Sequence, residues 1–477
     1  MVSVHRLKKP ISGITGVVIC LLFIYILKIP TSMEVAAIEA GSNGHVAMSV
    51  LGITLLSISW WIGGLVPDWL TSLVMMILWV IVVNIPFPVA FSGFGVSSVW
   101  LIVGAFCLAA AITKTGLFER IAYLLIRIFS PTFSGQVLAL LLVGTICSPL
   151  IPSVTVKAVL GVAIAYNISN VMGYEAESPG RYGIFMASWF GFSLTASAFK
   201  TGSIQGYTLL GALPEEVSSN LSFLNWFVAM IPWLIIFLIA SYFAIHFLYK
   251  PKKEPTLKGK NIIQYSDKFG KMDREEKIAA LILSSTVVLW IFETKLNINA
   301  SITALIATFF CFFFGILESK EISTIVPWDL VIFLGGLLNL GNIFAMVGLD
   351  IWFQNIIGPF FANLNNLYII ILFVVIAVIL IRFVIVSQNA TIIVLLTILS
   401  PILRPFGISP FITGMIIYTV QASWFVPYQS PVYLVVLVGM NNTINFKNTV
   451  KACFAYEIIN IIGILASIPL WKMLGYM

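Results

Sequence analysis

Charge is what this chain has least of: 9% of its 477 residues are Asp, Glu, Lys or Arg, while 60% are hydrophobic. A soluble domain carries about 25% charge. The composition therefore excludes a soluble enzyme with an anchor and reads as an all-α polytopic membrane protein. Cysteine and histidine are also scarce. The five cysteines, Cys20, Cys107, Cys147, Cys311 and Cys453, are scattered without paired spacing, and the three histidines are far apart. Neither a disulfide framework nor a zinc site is indicated. No metal-ligand cluster or nucleophile triad is found in the sequence, which leaves no ground for an enzyme. The net charge of +7 needs no nucleic-acid partner, because it comes largely from one basic loop. Phe is abundant, at 36, with 13 Trp, as suits a chain lying in a lipid bilayer with interfacial aromatics.

Two polar stretches interrupt this apolar background. The first, Ile146 to Lys157, contains Pro149, Pro152 and a lysine. Two prolines at that spacing stop a continuous helix, and a lysine at membrane depth costs roughly 2.5–3.5 kcal/mol on insertion scales. Broken backbone at that depth survives only where it lines a protein-enclosed or watery cavity, so this stretch is the first candidate for a binding site. The second, Val384 to Thr391, has the same character about half a chain later. The apolar runs beside Ser153, Gln136 to Ile151 and Val156 to Ile168, fall short of the roughly 20 residues a span needs. They read as a re-entrant hairpin, and so do the arms from Tyr368 to Pro401.

Along the chain, Arg6, Lys8 and Lys9 precede the apolar run Ile11 to Ile29 and place the N-terminus in the cytoplasm. No small-residue cleavage pattern follows that run, so it reads as a span and not a leader. Segment 31–45 is expected as an outer loop. Spans follow near 46–66, 68–87 and 98–115, then an interfacial helix from Arg120 to Phe129. A span from Tyr182 is interrupted between Ser193 and Gly206, and another lies near 224–249. Lys250 to Lys277 is a Lys-rich cytoplasmic linker. Beyond it, spans are expected near 278–295 and 299–316 and from Trp328 to Gly348, with an amphipathic piece from Leu349 to Phe361. A span from Phe411 is broken at Pro427 to Pro431, and the last span lies near 448–471. About eleven spans result, which puts the C-terminus outside. Asp329, Glu293 and Glu457 are expected near span ends, in structural roles.

The halves match in order. Gly104 and Gly116-Leu117 find counterparts in Gly336 and Gly348-Leu349, the tip at Ser153 in Ser387, and the break at Ala196-Ser197 in Ala422-Ser423, all at nearly the same offset. With hairpins entering from opposite sides, this is an inverted repeat, an architecture of secondary transporters with a site at the repeat interface. The division is 1–95 for N-terminal scaffold helices, 96–249 for the first repeat, 250–277 for the linker and 278–477 for the second repeat.

At these residues the chain resembles the divalent anion/sodium symporter family. The tips Ser153-Val154-Thr155 and Ser387-Gln388-Asn389-Ala390-Thr391 are similar to that family's Ser-Asn-Thr signature. Lys114 to Ala122 matches its Lys-x-Gly-Leu-x-x-Arg-Ile-Ala pattern. Pro427 to Tyr433 looks like the citrate/succinate and oxoglutarate/malate exchanger branch. Val154 and Gln388-Asn389 depart from the signature, and Lys200-Thr201-Gly202-Ser203 stands where a TPPN-like turn is usual. The resemblance implies a secondary active transporter of small divalent anions, with C4 dicarboxylates or other di- and tricarboxylates expected and sulfate as the alternative. A sodium/proton antiporter of the wider superfamily should show a midplane Asp pair, which is missing. The resemblance also implies a homodimer, an elevator motion and sodium held at each tip and adjacent break.

A dianion entering the midplane needs donors without excess charge. Candidate substrate-binding residues are Ser153, Thr155, Lys157, Ser387, Gln388, Asn389, Thr391, Tyr428 and Ser430, with helix capping as the alternative role for the hydroxyls. Candidate cation-site or cation-replacing residues are Ser153, Lys200, Thr201, Ser387 and Pro427, with a Na+ near Ser387 and Asn389. No cofactor is required. Lys157 occupies the place of an arginine common in the exchanger branch. It or Lys200 is expected to stand in for the first sodium unless both snorkel to the interface. Arg382 is expected either to neutralise substrate or to snorkel.

Overall fold

The computed structural model describes residues 2–252, 270–362, 364 and 366–477; most of the basic linker, 253–269, lies outside them. The secondary structure of the described residues is helical throughout. Eight of their helices are long and apolar enough to cross a membrane, or nine if the bent pair Pro10–Ile26 and Thr31–Glu39 is one span. Four shorter apolar helices, Asp68–Ile81, Ala300–Phe313, Leu367–Ile381 and Pro410–Val420, add to these.

Both polar stretches form the tips of helical hairpins. In the first, Phe133–Cys147 is capped by Thr132, whose hydroxyl accepts from Gly135 N at 3.1 Å. The helix tightens into a 3-10 turn at Ser148–Leu150, where Pro149 has no N–H to continue it. The return arm, Val154–Val171, starts at Ser153, which caps the Val156 N–H. In the second hairpin Asn366 caps Leu367–Ile381 and Ser387 caps Gln388–Leu403. The open ends of each hairpin meet. Phe133, at the start of one arm, packs edge-on against Tyr174, just past the other, with centroids 6.4 Å apart. In the second hairpin Phe361, at the end of the preceding helix, packs at a tilt against Phe406, just past the return arm, with centroids 6.3 Å apart.

Each hairpin lies against an interrupted helix. Pro179–Phe192 and Ile204–Ala212 flank a break with a 3-10 turn at Leu194–Ala198. Pro410–Val420 and Pro431–Gly439 flank a break containing a 3-10 turn at Pro427–Gln429. Both arms of each hairpin pack on the first segment of the interrupted helix in their own half, and the return arms also reach across: Val154–Val171 packs on Pro431–Gly439, and Gln388–Leu403 on Ile204–Ala212. The contact of Phe133–Cys147 with Pro179–Phe192 needs glycine. A Cβ on Gly144 would meet the Gly191 carbonyl carbon at 2.3 Å. Phe223–Tyr249 and Val450–Met473 close the unit, tied by Trp233 Nε1 donating to Asn460 Oδ1 at 2.8 Å.

The repeat extends to backbone detail. Gly116 and Gly348, paired from sequence, both adopt positive φ, +71° and +76°, and each starts an amphipathic helix. Two ion pairs join the two halves: Lys114 with Glu321 at 2.9 Å, and Arg120 with Glu276. The first partner and the Glu318 N–H hold the Glu321 carboxyl below the usual range, the backbone donor contributing most.

Four expectations change. Segment 31–45 is not a plain loop: Thr31–Glu39 is a helix whose small face, Ala36 and Ala37, is buried, close beneath Gly348. Trp328 to Gly348 keeps its span as Trp328–Val347, but with a local interruption between Trp328–Leu337 and Leu340–Val347. Asn339, between them, turns its amide to Val89 O at 2.5 Å. The first hairpin's arms are longer than their apolar runs, at 18 residues each counting the 3-10 turn, because end polar groups are satisfied; Arg181 holds Asn170 Oδ1 at 2.7 Å. Glu457 is not near a span end but inside Val450–Met473, and buried.

Candidate functional site

The two tips and the two breaks share one cavity. Val154 and Gln388 line it from the hairpins, Ser197 and Gln205 from the first interrupted helix, Gln421 and Ser430 from the second. It encloses about 40 Å³, room for a few water molecules. Four helices of at least nine residues begin at its wall. Val154 and Gln388 are the first residues of Val154–Val171 and Gln388–Leu403. Gln205 and Val432 are second residues of Ile204–Ala212 and Pro431–Gly439. Helix N-termini present unpaired N–H groups and partial positive charge, so their convergence gives the cavity wall a positive local potential. Trp189 and Ser193 line this cavity, and among the described residues their Nε1 and Oγ atoms have no hydrogen-bond partner.

Two fixed cations brace the surrounding backbone. Lys157 is fully buried, and its Nζ donates to Ser148 O at 3.0 Å and Gly202 O at 2.6 Å, joining the first tip to the first break. Thr201 adds a parallel link, its hydroxyl donating to Pro149 O at 3.0 Å. Arg382, also fully buried, does the same in the second half. It donates to Ile385 O and Val386 O at the second tip, at 2.6 and 2.7 Å, and to Gln421 O and Gln429 O at the second break. Arg382 thus neither snorkels nor reaches into the cavity. In each half, carbonyl oxygens of a tip and a break gather around one cation, an ammonium in the first and a guanidinium in the second.

Lys200 belongs elsewhere. Its ammonium donates to Leu221 O at 2.6 Å and Glu293 Oε1 at 3.2 Å, and the same carboxylate oxygen accepts the Phe223 N–H. Both side chains are buried. The pair borders a second, larger cavity of about 1380 Å³ that also includes Ser98, Asn342, Thr397 and Arg404.

The other sequence candidates divide. Gln388 Oε1 accepts from Gln205 Nε2 at 2.8 Å, and Asn389 Oδ1 from the Thr208 hydroxyl at 3.1 Å, stitching the second tip to the first half. Ser153, Ser387 and Ser430 are helix caps, and Ser430 also lines the cavity. The Thr391 hydroxyl turns back to Ser387 O. Thr155 is exposed, and Tyr428 donates to Phe383 O at 3.1 Å away from the cavity wall. Pro427 opens the 3-10 turn of the second break. Sequence reasoning missed Trp189, Gln205, Tyr418, Gln421 and Tyr456, all cavity-lining. The aromatic ones are indistinguishable in sequence from core residues.

Comparison with known proteins agrees with this architecture. A family model described as the sodium:sulfate symporter transmembrane region matches residues 13–477. Among curated relatives, the chloroplastic dicarboxylate transporter 1 of Arabidopsis thaliana is 28% identical over 304 residues, 59% of this chain and 52% of that one. The putative malate transporter YflS of Bacillus subtilis is 30% identical over 273 residues, 55% and 57%. The chain spans about half the length of these relatives. In fold it is similar to the YdaH transporter of Alcanivorax borkumensis, with TM-score 0.53 and 14% identity over 82% of this chain and 88% of that one.

Proposed function

The chain belongs to the sodium:sulfate symporter family, and on that premise we propose that it is a secondary transporter of small divalent anions, with C4 dicarboxylates as the first substrate class. The observation that carries the reading is the convergence of four helix N-termini, from both halves, on one cavity. Such ends bind anions without a net counter-charge. The names of the chloroplast and Bacillus relatives support dicarboxylate over sulfate.

The mechanism is alternating access. The two hairpins, the two interrupted helices, Phe223–Tyr249 and Val450–Met473 move as one unit against a scaffold containing the N-terminal helices, Ser97–Lys114 and Ala300–Phe313. The repeats divide at 96–249 and 278–477, joined by the basic linker 250–277. The N-terminus lies on the cytoplasmic side, with the ion pairs of Lys114 and Arg120, and the C-terminus outside. A homodimer follows the family's expected assembly. Lys157 and Arg382 supply two positive charges to the moving unit, which offset those of a dianion. A coupling sodium at either junction is therefore unnecessary, and the carrier works without sodium.

Counterflow in proteoliposomes decides this. Vesicles preloaded with succinate should take up labelled succinate or malate at the same rate in sodium and in choline medium. Strict sodium dependence would remove the fixed-cation mechanism. Uptake of sulfate without any dicarboxylate would shift the substrate class, and no flux of any dianion would end the transporter reading.

A further inference from the structure

One buried acidic group has no role in the site above. Glu457, inside the membrane-crossing helix Val450–Met473, is 4% exposed. Both its carboxylate oxygens lack a hydrogen-bond partner among the described residues, and so do Ser423 Oγ and Asn460 Nδ2, although Ser423 and Asn460 sit beside the carboxyl. These four orphaned atoms form one cluster directly behind the anion cavity. Tyr456 and Ala422, the immediate chain neighbours of Glu457 and Ser423, line that cavity.

No ion pair reaches Glu457 among the described residues. Its titratable neighbours are Cys453 and Tyr456 on its own helix, and Tyr418, on Pro410–Val420, faces Tyr456. Tyr456 donates to Thr419 O and Cys453 Sγ accepts the Trp424 N–H, so both are engaged. Arg382, at the end of the packed helix Leu367–Ile381, is committed to four carbonyls. On Phe223–Tyr249, Tyr249 donates to Asn448 O, Tyr242 stacks on His246, and His246 pairs with Ser134. An unpaired carboxylate at this depth is costly, so the group needs a proton or a bound cation. The donor set selects the proton. Asn460 Oδ1 is taken by Trp233 Nε1, which turns the amide NH2, a donor and no cation ligand, toward the carboxyl.

We infer that Glu457 is a proton-carrying site whose occupancy is linked to the anion, so that the carrier moves a dianion and a proton in the same direction. This rests on the transporter reading. With Lys157, Arg382, a dianion and neutral Glu457, the loaded unit has no net charge at its core. When the dianion leaves, two positive charges remain, and Glu457 releases its proton to offset one of them. Coupling of this kind is reciprocal: bound dianion raises proton occupancy, and low pH favours anion binding.

The test uses the full-length protein in liposomes with the membrane potential clamped. Succinate counterflow at equal pH establishes transport. Net succinate uptake is then driven by an inside-alkaline gradient of one pH unit. One proton per dianion gives accumulation of about tenfold, together with lumenal acidification of an entrapped pH dye. Glu457→Gln should keep counterflow and lose both the accumulation and the acidification. Equal gradient-driven accumulation in wild type and Glu457→Gln overturns the inference, as does wild-type counterflow with no response to the gradient. Absence of counterflow in wild type overturns the transporter reading instead. If Glu457→Gln fails to fold, wild-type infrared spectra decide. A carboxylic-acid band that grows on adding succinate supports the site, and an unchanged band overturns it.

Discussion

The Lys157 ammonium and the Gly202 carbonyl oxygen lie 2.6 Å apart, across the gap between the first hairpin tip and the first interrupted helix. In the other half Arg382 spans the equivalent gap to Gln421 and Gln429. Two residues of different type, at non-equivalent positions in sequence, thus do one job in two inverted halves. Each pins a broken backbone whose carbonyls would otherwise face apolar surroundings without donors.

Lys157→Met should lower sodium-free uptake by at least about tenfold, because Ser148 O and Gly202 O lose their donor at about 1–3 kcal/mol per unsatisfied group. Sodium should restore part of the uptake by occupying the vacated carbonyls. Full sodium-free uptake in Lys157→Met would show that the ammonium is dispensable.

The buried pair Lys200–Glu293 joins the proposed moving unit to the scaffold. Breaking such a pair from one side costs about 3–5 kcal/mol, while replacing both partners with apolar groups is often neutral. Lys200→Met and Glu293→Leu should each lower the melting temperature, and the double variant should recover most of the loss. If the pair also latches one state, the double variant exchanges substrate with an altered maximal rate. Additive destabilisation in the double variant would show that the two residues act independently.

Trp189 lines the cavity, and among the described residues its indole N–H has no hydrogen-bond partner. Trp189→Phe keeps the ring packing against Trp424 and Tyr433 but removes the donor. A hydrogen bond to a charged group contributes about 1.5–3 kcal/mol, so KM for a dianion should rise by about ten- to a hundredfold with little change in the maximal rate. An unchanged KM would place the anion elsewhere in the cavity.

Gly144→Ala should destabilise by about 1–3 kcal/mol, because the added methyl meets the backbone of Gly191 and Phe192 at 2.3–2.5 Å. Thermal unfolding in detergent reads this. An unchanged melting temperature would show that the close approach yields.

The hairpins and the paired breaks were legible because membrane depth makes polar and proline-rich sequence conspicuous: Pro149, Lys157, Ser387 and Pro427 all mark real discontinuities. Lys200 and Glu293 were not legible as partners, since their contact joins segments distant in sequence. Glu457 looked like a span-end carboxylate because its flanks are ordinary for a transmembrane helix.

By itself the amino-acid order determined that the chain is a helical membrane protein, where its hairpin tips and helix breaks fall, and that its halves repeat. Those properties follow from local hydropathy, from proline's missing N–H and from side-chain caps, which act within a few residues. Only the tertiary structure decided which cation braces which carbonyls, which helix ends meet around the cavity and which carboxyl is left without a counter-charge. Hydrogen bonds and charges act over a few ångströms in space, whatever the separation along the chain, and apolar residues around them carry no record of who the neighbours are.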